Sequence, residues 1–467
     1  MKVKFLAAVA AAFPLISALC CIGAPIAASA NSVPTYWEGA NASGAIVKGE
    51  DCPVIVEKGT LNLNIASLPR EGKVELNSYT AEAVAEYTFH NPTNADVDMT
   101  LLLPFGIFPS YVEGDAQDKI SAVSVDGKAA QCTVRYTYSF APFDADKAMA
   151  RVLDEKKTDA FYRKDATVYE YRLVLSSSQD TSEGYFKIKL RYNPQKTRVI
   201  FPIEGTRLRV IGGDMYAIAP LSSLRSESAV FYAVGEALAE VTPSIEGGAA
   251  ENAMTAQLAK VMSFSEFAVQ DWQENTGISQ IDWYNAIVDM LNEKKGLGGS
   301  VADFSMTTQS FLRWYEYGLK IPAGGHIVNR VKAPLYPTIE ASKNPRYEYS
   351  YLLSPAAKWA DFRSLEIRIE TPYYLTNGSL DFARSESENG KDFIYLYTRS
   401  SLPQGELSFV LTESDGVDGD FSVFDKNNSF LRPSLTWAFI TLTVLSGIAG
   451  IVVVIVVVSL RKKNKSD

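Results

Sequence analysis

The stretch AEYTFHNPTNADVDMTLLLPFG, Ala85 to Gly106, decides how this chain is read. Its first half alternates: Ala85, Tyr87 and Phe89 fall on one face, Glu86, Thr88 and His90 on the other, the period of a half-buried strand. Asn91-Pro92 then breaks the run, because proline fixes its own φ and restricts the residue before it. The apolar MTLLLPF that follows reads as the returning strand. His90, one of two histidines in the chain, is thereby placed at a strand end beside a turn, pointing away from the aromatic face and hydrogen-bonded there.

The same pattern extends in both directions. CPVIVEKGTLNLNI (52–65) alternates through Leu61, Leu63 and Ile65. ISAVSVDGKAAQCTVRYTYSF reads as strands around Asp126-Gly127, a dipeptide that accepts the positive φ of a tight hairpin turn. TVYEYRLVL, GYFKIKLRY and TRVIFPI continue it, and so, beyond residue 307, do FLRWYEYGLKI, GHIVNRVKA, YEYSYLLS, SLEIRIETPYYL, DFIYLYTRS and GELSFVLTES. The period changes twice. In FDADKAMARVLDEKK the residues Ala148, Met149, Val152 and Leu153 make an apolar helical stripe, so one helix is expected near 143–157. From about Glu251 to Lys295 the pattern is again helical. In ISQIDWYNAIVDMLNEKKG the residues Ile278, Ile281, Tyr284, Val288 and Leu291 share a face, Ser279 and Asp282 suit a capping box, and Gly296 suits a stop.

The fold class that follows is mainly β (α+β): two antiparallel β-sandwich-like units with a helical insertion. The expected divisions are a β unit over 31–245, a helical segment over 246–305, a second β unit over 306–412 and an acidic linker over 413–434. Residues 1–30 read as a signal peptide, with Lys2 and Lys4 before an apolar run and Ala28-Ser29-Ala30 as the cleavage site. Residues 435–460, LTWAFITLTVLSGIAGIVVVIVVVSL, hold no charge and are long enough for about 30 Å of hydrocarbon, hence one C-terminal transmembrane helix. The basic residues of the tail over 461–467 belong on the cytoplasmic side. The expected location is the cell membrane, single-pass type I, with the N-terminal portion extracellular.

The whole chain carries 45 basic against 54 acidic residues. Lys2, Lys4, Arg461, Lys462, Lys463 and Lys465 all lie in the two ends, so the portion between is more acidic still. Such a surface repels nucleic acid, which is excluded as a partner.

Candidate site residues are few. Cys52 and Cys132 remain after signal cleavage; outside the cell they can pair as a disulfide or stay as two buried thiols in separate strands, and the sequence leaves both open. In ESDGVDGDFSVFD, Asp415, Asp418 and Asp420 offer oxygen ligands suited to calcium. The spacing is not that of an EF-hand, and a solvated linker is the commoner meaning of such a run. Trp359 with Tyr373 and Tyr374 could form an aromatic binding platform, although buried packing is the commoner fate of such rings. Pro355 can start a short helical turn after Ser354, which sets Trp359 and Phe362 on one side. No G-x-S-x-G, H-E-x-x-H, phosphate-binding or dinucleotide-binding motif occurs, and no cofactor is implied. Asp303, Ser305 and Thr307 stand in the order of a metal-ion-dependent adhesion site, but KKGLGGS before them cannot make the buried strand that such a site requires.

Residues 75–130 resemble a VIT-type β domain: AEAVAEYTFHNPTNADVDMTLLLPFG supplies a strand, an Asn/Pro turn and a strand closing on Pro-Phe-Gly, and ISAVSVDGKAA a strand leading to an Asp-Gly-Lys turn. YEYSYLLSPAAKWADFRSLEIRI and LPQGELSFVLTES are similar to segments of uncharacterised secreted or membrane-anchored β-rich surface proteins of Gram-positive bacteria. These resemblances imply a fold and a location, and no activity. The function expected is that of a non-enzymatic surface protein whose extracellular β-rich portion binds a protein or glycan partner. The alternatives are a membrane-tethered hydrolase with paired carboxylates and a structural or sensory subunit of an envelope complex.

Overall fold

The computed structural model describes residues 42–48, 52–68, 81–107, 122–139, 145–175, 184–224, 228–246, 254–306, 310–335, 337–340, 345–388 and 390–415. The signal-like segment, Asp418, Asp420, residues 435–460 and the basic tail lie outside them. Among the described residues no helix is long and apolar enough to cross a membrane.

The chain is mainly β. The opening stretch folds as read: Ala81–His90 and Val97–Ile107 are strands on either side of the Asn-Pro turn, with Ala85, Tyr87 and Phe89 buried and Glu86 exposed. Their partners are far away in sequence. Ala81–His90 lies between Ile55–Ile65 and His326–Pro334. Val97–Ile107 pairs with Phe311–Ile321, which also takes Thr133–Tyr138 on its other side.

The largest sheet holds nine strands. From one edge it runs Ala383–Glu386, Phe393–Arg399, Leu365–Thr371, Ile55–Ile65, Ala81–His90, His326–Pro334, Ala122–Val125 and Lys128–Ala129, with Asp361–Phe362 beside Ile55–Ile65. Early and late strands of the described residues thus share one sheet and one core, in which Phe89, Leu101, Tyr349, Ile367 and Phe409 are buried together. This corrects the expectation of two successive units divided near 245–306. Alternation shows which face of a strand is buried and does not show which strand lies beside it. Nor is the sheet wholly antiparallel: Leu365–Thr371 runs parallel to Ile55–Ile65, from Leu365↔Gly59 to Glu370↔Asn64. A parallel neighbour needs a long connection, which most of the chain supplies.

Between Thr133–Tyr138 and Phe311–Ile321, paired neighbours in this main body, the sequence runs through an inserted β region. Thr197–Ile200, Ser228–Gly235, Thr167–Leu175 and Met254–Ser263 form one four-stranded sheet. Arg207–Ile211, Asp214–Pro220, Tyr185–Arg191 and Glu240–Glu246 form another. Leu173, Phe186, Ile188, Phe201 and Phe231 from both sheets meet in a common core.

Two helical expectations are corrected. Met254–Ser263, MTAQLAKVMS, is rich in helix formers yet is an edge strand along Thr167–Leu175, with a bulge between Leu258 and Lys260. Ladder pairing here overrides a weak intrinsic preference. The helix expected over 143–157 spans only Ala145–Met149. Its continuation is captured by side chains from elsewhere: Arg135 donates to the Leu153 carbonyl, Asn285 Nδ2 donates to the Glu155 carbonyl, and the Lys157 amide donates to Asn285 Oδ1. Ala148 and Val152 are nevertheless buried, as the apolar stripe required.

The helix Gln280–Glu293 forms as read, with Tyr284, Val288 and Leu291 buried. Ser279 Oγ accepts from the Asp282 amide at 3.0 Å. The Asp282 carboxylate is turned to another use: it accepts from Arg135 and from the Tyr136 amide, fastening the helix to the strand Thr133–Tyr138.

Candidate functional site at the histidine pair

The two histidines of the chain come together. Ile55, His90 and His326 are opposite one another on three adjacent strands, His90 in the middle. Directly opposed residues of antiparallel strands have Cβ atoms about 5 Å apart, so the two rings must meet. They stack, with centroids 4.3 Å apart and planes 21° from parallel.

A local irregularity brings in the third group. Pairing between Ile55–Ile65 and Ala81–His90 shifts register between Val56 and Lys58. Glu57 is the extra residue, and a bulge of this kind re-aims the side chain it carries. Glu57 Oε2 lies 3.1 Å from His326 Nε2. One ligand atom each from Glu57, His90 and His326 lie within 4.8 Å of one another. The cluster opens to solvent, the side chains of His326 and Glu57 being 51% and 34% exposed.

Its surroundings fix orientation. His90 Nδ1 is 3.3 Å from the Gly325 carbonyl. A carbonyl only accepts, so the ring hydrogen in that bond sits on Nδ1, and in the neutral ring Nε2 then carries the lone pair. The other oxygen of Glu57, Oε1, faces Arg363 Nη1 at 3.5 Å, and Arg363 Nε donates to Asp361 Oδ2 at 3.2 Å. Beneath the histidines, fully buried Asn91 donates from Nδ2 to the carbonyls of Ala95, Ile321 and Pro322, while its Oδ1 accepts from Thr93. The Asn91 amide donates to Gly325 O at 3.0 Å. These bonds lock the 91–96 turn to the 322–325 turn, and with it His90 to His326.

The sequence placed His90 at a strand end beside a turn, hydrogen-bonded, and there it is. It gave no sign of the other two members. His326 also stands at a strand start after a Gly-Gly turn; only the pairing of Ala81–His90 with His326–Pro334 makes the two coincide.

The residues singled out from sequence are dispersed. Trp359 is buried against Phe89, ring centroids 4.3 Å apart, after the 3-10 turn Ser354–Lys358 that Pro355 opens. Tyr373 accepts from the Leu68 amide, beyond the far end of Ile55–Ile65, whereas Trp359 lies beside Val54 and its near end, where the Ala360 amide donates to Val54 O. That strand of 11 residues spans roughly 35 Å, so Trp359 and the two tyrosines form no common platform. Tyr374 packs against Phe393 with the ring planes tilted by 43°, and the Arg384 guanidinium lies over both rings. Asp415 is exposed and faces that same Arg384 at 3.6 Å. Asp303 takes a positive φ of 54° in an irregular turn, not at the end of a buried strand.

Cys52 and Cys132 are free, half-buried thiols. They line two adjoining hollows over the Val97–Ile107 and Phe311–Ile321 strands that share Thr100 and Gly318. Burial pushes both thiols above the usual range, Cys52 despite a backbone hydrogen bond at Val54 that opposes the rise. The carboxylates at the second hollow are tied down: Arg135 bridges Asp154 and Glu316, and Lys48 reaches both. Its hydrogen bond to Arg135 holds the Asp154 carboxyl below its ordinary range, which suits it to ion pairing rather than to proton donation.

No protein-family model matches the chain, and no curated protein matches it. Among solved structures it is similar to a "putative nutrient binding protein" from Legionella pneumophila, at 10% identity and a TM-score of 0.31, over 80% of this chain and 71% of that one. The N-terminal domain of a Streptococcus gordonii adhesin aligns at 8% identity and a TM-score of 0.12, over 82% of this chain and 89% of that domain.

Proposed function

We propose that this chain is a non-enzymatic surface protein, held by a single C-terminal span, whose β-rich portion outside the membrane binds a protein or glycan partner. The observation that carries the proposal is the uncharged stretch 435–460 followed at once by RKKNKSD, a span and its cytoplasmic anchor. The positively charged, then apolar N-terminus supports the same orientation. So does the resemblance of residues 75–130 to VIT-type β domains and of the later segments to Gram-positive surface proteins. In this reading the two sheets packed together between residues 167 and 263 act as a sandwich-like display unit. The acidic balance of the portion between the ends favours neutral or cationic partners over anionic polymers.

The test is made on intact cells expressing the full chain. External protease should remove the β-rich portion without lysis, and truncation after Pro433 should release into the medium a product beginning at Asn31. Full protection from protease until lysis would refute the orientation. Crosslinking on the same cells should join the exposed portion to a specific protein or glycan; enzymatic cleavage of a glycan, with no adduct, would replace binding by hydrolysis.

A further inference from the structure

The geometry points to a divalent transition-metal site at Glu57, His90 and His326, of the kind that takes Zn²⁺, and we infer that this protein binds such an ion there. Three features carry the inference, and none depends on where the chain resides.

The donor set comes first. Two imidazole nitrogens and one carboxylate oxygen suit Zn²⁺ and its first-row neighbours, whereas Ca²⁺ and Mg²⁺ favour oxygen alone. Bonds of about 2.0–2.1 Å at tetrahedral angles set neighbouring ligand atoms roughly 3.3 Å apart. His326 Nε2 and Glu57 Oε2 are already 3.1 Å apart. All three donors lie within 4.8 Å of one another, a gap that rotation of the partly exposed side chains can close.

Orientation by outer groups comes second. A ligating imidazole usually gives its other N–H to a carbonyl or carboxylate, which fixes the tautomer. His90 has that arrangement, Nδ1 toward Gly325 O, with Nε2 left to coordinate. Arg363 takes Glu57 Oε1 and leaves Oε2 turned to His326.

Backbone placement comes third. The donors sit on three adjacent strands, and Glu57 reaches them only because a bulge interrupts its ladder. Protein supplies three ligands and a solvent-facing fourth position is left for water, as in open zinc sites. Bound metal would clamp together strands 236 residues apart in sequence at His90 and His326.

The probe is Co²⁺, added to the chelator-treated full chain in detergent without a polyhistidine tag and followed by its visible absorption. One equivalent should develop the band of a nitrogen/oxygen site, and Zn²⁺ but neither Ca²⁺ nor Mg²⁺ should abolish it. His90→Ala, His326→Ala and Glu57→Gln should each weaken binding by about tenfold or more. Zn²⁺ should also raise the melting temperature of the parent and leave that of the folded His326→Ala variant unchanged, which separates lost coordination from a damaged fold. Absence of a band, a band unchanged in the histidine variants, or a thiolate charge-transfer band from the cysteines would each overturn the assignment and leave Glu57 and His326 as an ordinary surface ion pair.

Discussion

Asn91 donates from Nδ2 to the Ile321 carbonyl at 3.1 Å, joining two turns that lie 230 residues apart in the chain. The same amide group reaches the carbonyls of Ala95 and Pro322. Asn91→Ala would remove that donor. Ala95 O still accepts from Thr93 Oγ1 and Pro322 O from the Gly325 amide. The loss therefore falls mainly on the buried link to Ile321, at a cost of about 1–3 kcal/mol. Asn91→Asp should fare no better, because a carboxylate cannot donate to a carbonyl. Thermal unfolding of both variants checks this; a melting temperature within a degree of the parent would contradict it.

Trp359 is a core residue by its contacts with Phe89, and Tyr374 is not. Trp359→Ala should therefore destabilise by about 3–5 kcal/mol, and Tyr374→Ala by about 1 kcal/mol or less. The Trp359 indole nitrogen has no hydrogen-bond partner among the described residues. Trp359→Phe should for that reason lose packing alone and recover most of the difference. Denaturant unfolding of the three variants ranks them, and equal losses for Trp359→Ala and Tyr374→Ala would contradict the assignment.

Asp282 is buried, and burial pushes its carboxyl above the ordinary value, with the Arg135 guanidinium opposing the rise. Arg135→Met removes that opposition and strands a buried charge, for a loss of about 3–5 kcal/mol at neutral pH. A carboxyl whose folded pKa is raised binds more protons folded than unfolded, so stability falls as pH rises from the ordinary value of 3.8 through the raised one. The deficit of Arg135→Met should therefore be greatest near pH 7 and shrink as pH approaches 4. Adding Asp282→Leu should restore much of the loss. A deficit constant across that range would show that the carboxylate is not its source.

Asp159 shows the opposite sign. Burial raises its carboxyl, but the amides of Tyr162 and Phe161, at 2.7 and 2.8 Å, together with Asn292 and Lys157, outweigh it and hold the group below its ordinary value. Its stabilising contribution is present above 3.8 and is lost as pH falls through the lowered folded value. Asp159→Ala should cost about 1 kcal/mol at pH 7, and its curve should converge with that of the parent under acid. Melting curves between pH 2 and pH 7 read both the gap and its closing.

Strand existence was legible because period-two alternation is a local property. Tyr87 and Phe89 inward with Glu86 outward needs nothing beyond ten residues. The Asp126-Gly127 turn was legible for the same reason: both residues take positive φ, 48° and 73°, as their chemistry allows. Met254–Ser263 was not legible, since Ala, Gln, Leu, Lys and Met favour a helix in isolation and only the neighbouring Thr167–Leu175 strand makes a ladder the better outcome. Ala145–Met149 stops early on account of Arg135 and Asn285, which no local window contains.

By itself the sequence determined the β character of the chain, the buried face of alternating strands such as Ala81–His90, the capped helix at Ser279 and the placing of His90 beside a turn. Each depends on residues a few positions apart, where backbone geometry alone fixes what can touch. Tertiary structure decided the rest: that first and last strands share a sheet, that Trp359 belongs to the core while Tyr373 lies at the other end of the strand, and that Glu57, His90 and His326 meet. Pairing between distant strands is selected by the packing of whole faces. A bulge of one residue at Glu57 and the side-chain amide of Asn91, both silent in any local pattern, fix which groups then stand together.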